Sequence, residues 1–152
     1  MQKIIYMRAD GSVSVVHPVR NTMGETLTTD AEIEQRAWAK LPTDAINPRF
    51  VDASAIPTDR TFRDAWVASG QSITHDMEKC RALHRRELRA LRAPKLAALD
   101  VEYQRADERG DAAQKKAIAA RKQILRDVTT HPDIDAAVSP GELKAVIPSV
   151  LL

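Results

Sequence analysis

Residues 76–128 read DMEKCRALHRRELRALRAPKLAALDVEYQRADERGDAAQKKAIAARKQILRDV, and this stretch decides the fold. Met77, Cys80, His84, Leu88 and Leu91 recur at steps of three or four, as one face of a helix requires. Leu96, Leu99, Tyr103 and Ala106 resume the series beyond Pro94. Pro94 lacks an N–H and its ring crowds the carbonyl four residues back, so a kink is expected there. Asp76 is placed to cap the start of the helix, and Gly110 stands where a left-handed residue ends one. Asp111 with Gln114 resembles a capping box opening a second helix. That helix is expected to turn Ala117, Ile118, Ile124, Leu125 and Val128 to one side. So short a link between two amphipathic helices predicts an antiparallel hairpin, with a seam of Leu88, Leu91, Leu96, Leu99, Tyr103, Ile118 and Leu125.

Upstream, the pattern changes to strands. Residues 3–7 and 12–16 are rich in Ile and Val, and Asp10-Gly11 between them is a hairpin signal, because the turn needs residues tolerant of positive φ. Ser12 and Ser14 alternate with Val13 and Val15, which predicts one wet face. Pro18 closes the second strand, and residues 20–28, with Gly24, read as a loop. Thr29-Asp-Ala-Glu32 is a capping box before a short helix carrying Ile33, Ala37 and Trp38, ended by Leu41-Pro42. Residues 49–52 are expected to return as a third strand. Phe62 and Trp66, four apart, predict one helical turn that plugs the underside of the sheet and anchors the hairpin to the lobe. Residues 67–68 and 72–74 around Ser69-Gly70 predict a second small hairpin.

Past Val128, Pro132 is expected to start a helical turn. Ser139-Pro-Gly-Glu142 caps another in front of Leu143, Val146 and Ile147, and Pro148 stops it. The fold class is therefore α+β. A small N-terminal antiparallel β lobe with short helices (1–75) precedes a C-terminal antiparallel helical hairpin (76–128), then short terminal helices and an apolar tail (129–152).

Composition bounds the function classes. Of 152 residues 43% are apolar, yet only two Phe, two Trp and two Tyr are present, so the core must rest on Leu, Ile, Val and Ala. One cysteine, Cys80, allows no internal disulfide. No apolar run is long enough to span a membrane and the N-terminus lacks a signal-peptide pattern, so a soluble protein with no membrane partner is expected. The four histidines, His17, His75, His84 and His131, fall in no metal-binding spacing. Cys80 and His84 share a helix face, but two ligands are too few for zinc, and a small buried Cys beside a partly buried His is the simpler reading. The five glycines are scattered, so no phosphate loop or nucleophile elbow is present. No enzymatic activity, cofactor or metal is expected.

The net charge of +2 is unevenly placed: between residues 81 and 95, Arg81, Arg85, Arg86, Arg89, Arg92 and Lys95 face one acid, Glu87. Arg81, Arg85, Arg89 and Arg92 fall on one helical face. Such a stripe suits either an acidic protein partner or, as the alternative reading, a nucleic acid. Interleaved aromatics and helix-turn-helix or zinc-finger spacing are lacking, so a nucleic-acid partner is the lesser expectation.

Arg92-Ala-Pro-Lys-Leu-Ala-Ala-Leu-Asp100, Gly110-Asp111 and Ala120-Arg-Lys-Gln-Ile-Leu-Arg-Asp127 together resemble the C-terminal pattern of phage tail fibre assembly and tail assembly chaperone proteins. Tyr6-x-Arg-x-Asp-Gly11 and Asp59-Arg-Thr-Phe-Arg-Asp-Ala-Trp66 are similar to small proteins encoded among prophage tail genes. The resemblance implies a non-catalytic protein that binds a tail fibre or tail-tip polypeptide, helping it to fold and trimerise or staying on the virion tail. It would act in the host cytoplasm during assembly; a homo-oligomer is compatible with it. The partner would then meet Arg81, Arg85, Arg89 and Arg92, or Leu143, Val146, Ile147 and Leu151 of the 143–152 tail.

Overall fold

A tight turn at Asp10-Gly11 starts the N-terminal sheet. In the computed structural model, which describes residues 1–22, 25–26 and 29–152, Gly11 has φ 78° and donates its N–H to the Arg8 carbonyl at 2.9 Å. The Asp10 carboxylate accepts the Ser12 N–H at 2.9 Å. Strand β1 (Lys3–Met7) thereby pairs antiparallel with β2 (Val13–Val16), setting Ile4 opposite Val16 and Tyr6 opposite Ser14. Residues 20–28, expected as a loop, include a two-residue ladder between β3 (Asn21–Thr22) and β4 (Glu25–Thr26). Gly24 lies outside the described residues.

The capping box forms as expected: Thr29 Oγ accepts the Glu32 N–H and the Glu32 carboxylate accepts the Thr29 N–H. Helix α1 (Asp30–Ala39) follows, then β5 (Ile46–Val51), the third strand, which begins three residues before the expected Arg49 and pairs with β1 on its other side. The register slips between Ile5 and Met7 near Asn47, at φ 49°, a conformation Asn tolerates better than most side chains. The sheet order is β2-β1-β5.

Alternation along the strands gives the sheet two faces. Ile5, Val13 and Val51 look one way and form a core with Trp66 and Ile73. Ile4, Tyr6, Ser14 and Phe50 look the other way. There Trp38 of α1 stacks on Phe50, ring centroids 4.9 Å apart, and Ile33 is fully buried. This corrects the expectation of a wet serine face: Ser14 is buried because α1 covers its side of the sheet, and its hydroxyl meets no hydrogen-bond partner among the described residues.

The stretch before the second hairpin also differs from expectation. One tight helical turn, Arg63–Ala65, separates Phe62 from Trp66, and Trp66 itself opens strand β6 (Trp66–Ser69). Both rings are buried, and Trp66 does plug the underside of the sheet. β6 pairs with β7 (Ser72–His75) across a turn whose first position is Gly70, at φ 53°. Trp66 Nε1 donates to His75 Nε2 at 3.1 Å.

The chain divides into two compact units, Met1–Asp76 and Met77–Leu152. The second contains the hairpin. Helix α2 (Met77–Glu108) continues through Pro94 for 32 residues, so the proline does not break it. It ends in a Schellman cap: Gly110, at φ 67°, donates to the Asp107 carbonyl and Asp111 to the Ala106 carbonyl, each at 2.9 Å. The Asp111 carboxylate then caps α3 (Ala112–Asp127) by accepting the Gln114 N–H. Gln114 does not complete the box, because its side-chain oxygen accepts from Arg109.

Cys80, His84, Leu88, Leu99 and Ala106 of α2 are buried, as are Ile118 and Leu125 of α3. Burying a Leu or Ile side chain contributes about 1.5–3 kcal/mol, so Leu88, Leu99, Ile118 and Leu125 each add substantially to the unit's stability. Leu91 is not part of this seam and is 46% exposed. At 3.6 residues per turn it points about 60° away from Leu88, and the half-buried stems of Arg92 and Lys95 occupy the seam there. Leu96 and Tyr103 are half-buried, and the ammonium groups of Lys115 and Lys122 lie 5.6 and 5.4 Å from the Tyr103 ring centroid. On α3 the inward face is Lys115, Ile118, Lys122 and Leu125, so Ala117 and Ile124, expected inside, are exposed.

Residues 129–152 pack in the same unit as the hairpin. Helix α4 (Pro132–Ala136) buries Ile134, α5 (Pro140–Ala145) buries Leu143, and a final turn, Ser149–Leu151, buries Leu151.

Candidate partner-binding surface

The basic stripe of α2 turns inward. Arg81 donates to the Ile134 carbonyl at 3.2 Å and the Ala137 carbonyl at 2.9 Å. Arg85 donates to the Thr129 carbonyl at 3.1 Å and pairs with Asp135 at 2.6 Å. Arg92 reaches the Arg126 carbonyl at 2.5 Å, and Lys95 the Val150 carbonyl at 3.3 Å. The reason is local: carbonyls in the last turn of a helix have no intrahelical donor and carry partial negative charge, so cations settle on them. Arg92 serves the end of α3 in this way, and Arg81 the end of α4.

Arg81, Arg85 and Arg92 are thus not the outward-facing partner contacts that the sequence suggests. Arg89, with Arg86, remains exposed. The tail divides similarly. Leu143 and Leu151 are buried in their own unit, which corrects their assignment to a partner surface. Val146 is half-buried, and its carbonyl accepts the Nε2–H of His84 at 2.8 Å. Ile147 faces outward at 44% exposure.

What the hairpin does present is a groove. Lys95, Ala98, Leu99 and Glu102 of α2, Arg121, Ile124 and Leu125 of α3, and Val150 line a depression of about 330 Å3. Its floor is aliphatic. Its rim is charged, with Arg121 and Glu102 paired at 3.4 Å and Lys95 bonded to the Val150 carbonyl. Ile124, at 56% exposure, is the most exposed of the large apolar side chains that line the groove. The sequence carries a signal for this: Ile124 lies beside Leu125, and only one of two adjacent residues can face the same seam.

Cys80 and His84, which share a helix face, both lie inside the second unit. Cys80 is fully buried, and His84 is buried with its ring bonded to a carbonyl. Among the described residues no three His, Cys, Asp or Glu side chains gather as metal ligands, and no helix is long and apolar enough to cross a membrane. The Asp107 carboxylate raises the pKa of Lys115 by hydrogen bonding and by charge, an interaction that ties α3 to α2.

No protein-family model, no curated protein and no solved structure matches this chain.

Proposed function

We propose that this protein is a non-catalytic holder of another polypeptide, acting through the groove of its helical unit. A tail fibre or tail-tip assembly chaperone, or a minor virion tail component, is the specific role this reading favours. The observation that carries it is Ile124, held open over an aliphatic floor of Ala98, Leu99 and Val150. Aliphatic side chains on a solvated hairpin cost free energy when left wet, at about 25 cal/mol per Å2. An amphipathic helix laid into the groove would remove them from water, and the charged rim would fix its register. The resemblance of residues 92–127 to tail assembly chaperones points to the kind of chain that would lie there.

Co-expression with a tail fibre polypeptide, chosen from a gene neighbouring this one where such a gene is found, tests the reading. Soluble, trimeric fibre should depend on this protein, and the two chains should co-purify at least transiently. Fibre that assembles equally well without it, with no complex at any stage, would overturn the proposal.

A further inference from the structure

A second cleft, of about 280 Å3, lies in the first unit between the β1–β2 hairpin and residues 53–60. Val15, Ile56 and Trp66 give it an apolar floor, while Lys3, His17 and Arg60 stand around it. The Arg60 guanidinium lies over the Trp66 ring, 5.9 Å from its centroid. Arg63 adds a further positive charge near His17. Among the described residues none of these four basic side chains has a carboxylate partner.

Like charges gathered over a low-dielectric floor repel one another, and such a cleft concentrates anions from solution. His17 registers that field. Partial burial and then the charges of Lys3, Arg60 and Arg63 hold its pKa below the ordinary histidine range. A second feature narrows the ligand. β2 is an outer strand, and the side of it turned away from β1 forms no ladder with any described strand. Unpaired N–H and C=O groups on a sheet edge are recognition elements for an extended chain, and a free small anion cannot use them. The volume, below the usual range of small-molecule sites, suits one or two side chains.

We propose that this cleft binds an acidic, extended segment of a partner polypeptide, with a carboxylate among Lys3, His17 and Arg60 and a neighbouring apolar side chain against Val15 and Ile56. This goes beyond the groove reading, because it concerns a different surface in the other unit and stands if the groove binds nothing.

The test is a titration of the full chain, followed through the imidazole C–H resonances of His17. The probe is an acetylated, amidated peptide of sequence Val-Glu-Phe-Glu-Val, with the Gln-for-Glu peptide and inorganic phosphate as comparison arms. The expected result is saturable binding of the acidic peptide that raises the His17 pKa and weakens with salt. Removing one charged contact should weaken it about tenfold or more, so Arg60→Gln and, separately, Lys3→Gln should each show that loss while circular dichroism stays unchanged. Two variants guard against misfolding of either one. Equal binding of the Gln peptide would overturn the carboxylate assignment. Phosphate binding as tightly as the acidic peptide would overturn the polypeptide assignment, and a His17 resonance unmoved by any probe would overturn both.

Discussion

Replacing Arg81 by Met removes a guanidinium but keeps most of an aliphatic stem, so it isolates the hydrogen bonds from the packing. Two bonds are lost, to the Ile134 and Ala137 carbonyls at 3.2 and 2.9 Å. A hydrogen bond to a charged group contributes about 1.5–3 kcal/mol when buried. Arg81 is half-buried, so solvent screening reduces each bond to about 1 kcal/mol and the pair to about 2 kcal/mol. The neutral reference is Arg89→Met, at an exposed position, which should stay within about 0.5 kcal/mol of wild type. Urea unfolding read by far-ultraviolet circular dichroism follows mainly the second unit, because α2 and α3 hold 32 and 16 residues. Both tryptophans, Trp38 and Trp66, report on the first unit. Arg81→Met should lower the dichroism midpoint by about 1 M urea, taking a slope near 2 kcal/mol per M, and leave the fluorescence midpoint in place. If Arg81→Met and Arg89→Met were equally harmless to folding, and both weakened a salt-sensitive affinity for nucleic acid, the stripe would be an outward ligand surface and the internal assignment wrong.

Three further outcomes follow from burial, backbone geometry and charge. Leu88→Ala, at a fully buried site, should cost about 2–5 kcal/mol, whereas Leu91→Ala at 46% exposure should cost under about 1 kcal/mol; equal losses in thermal melts would misplace the seam. Gly110→Ala meets no atom within 4 Å but must adopt φ 67°, so it should destabilise by about 1 kcal/mol through backbone strain alone. His17 has a folded pKa below its unfolded value, so the unfolded chain takes up the proton first as pH falls. Its contribution is therefore complete above the ordinary histidine pKa and is lost as pH drops through the depressed one. His17→Gln should flatten the stability profile of the first unit in that acidic window, measured by tryptophan fluorescence across pH.

Much of the fold was legible because its signals are local. Asp10-Gly11, Thr29 with Glu32, Gly110, and Ser139 with Glu142 satisfy backbone groups within a few residues of themselves, and each works as its spacing suggests. What was not legible depends on distant partners. Ser14 is buried because α1 folds over the sheet, and nothing in the alternation of residues 12–16 encodes that cover. The arginines of α2 look like a surface stripe when only their helix is considered. Their targets, the carbonyls of residues 126 to 137, belong to backbone that no side-chain pattern advertises. Leu91 and Ile124 failed for a third reason. Steps of three and four fit several helical phases, and only the packed partner selects one. The groove was therefore hidden among residues assigned to the core.

The most direct test of the holding role is to place a charge in the groove without touching the seam. Ile124→Lys does so, because the side chain is already 56% exposed. The variant should keep the helical dichroism and melting temperature of the parent, yet lose the proposed tail fibre partner from an affinity-purified complex by tenfold or more, on the order expected for a buried charge in an interface core. A folded Ile124→Lys protein that retains that polypeptide at parental affinity would contradict the account.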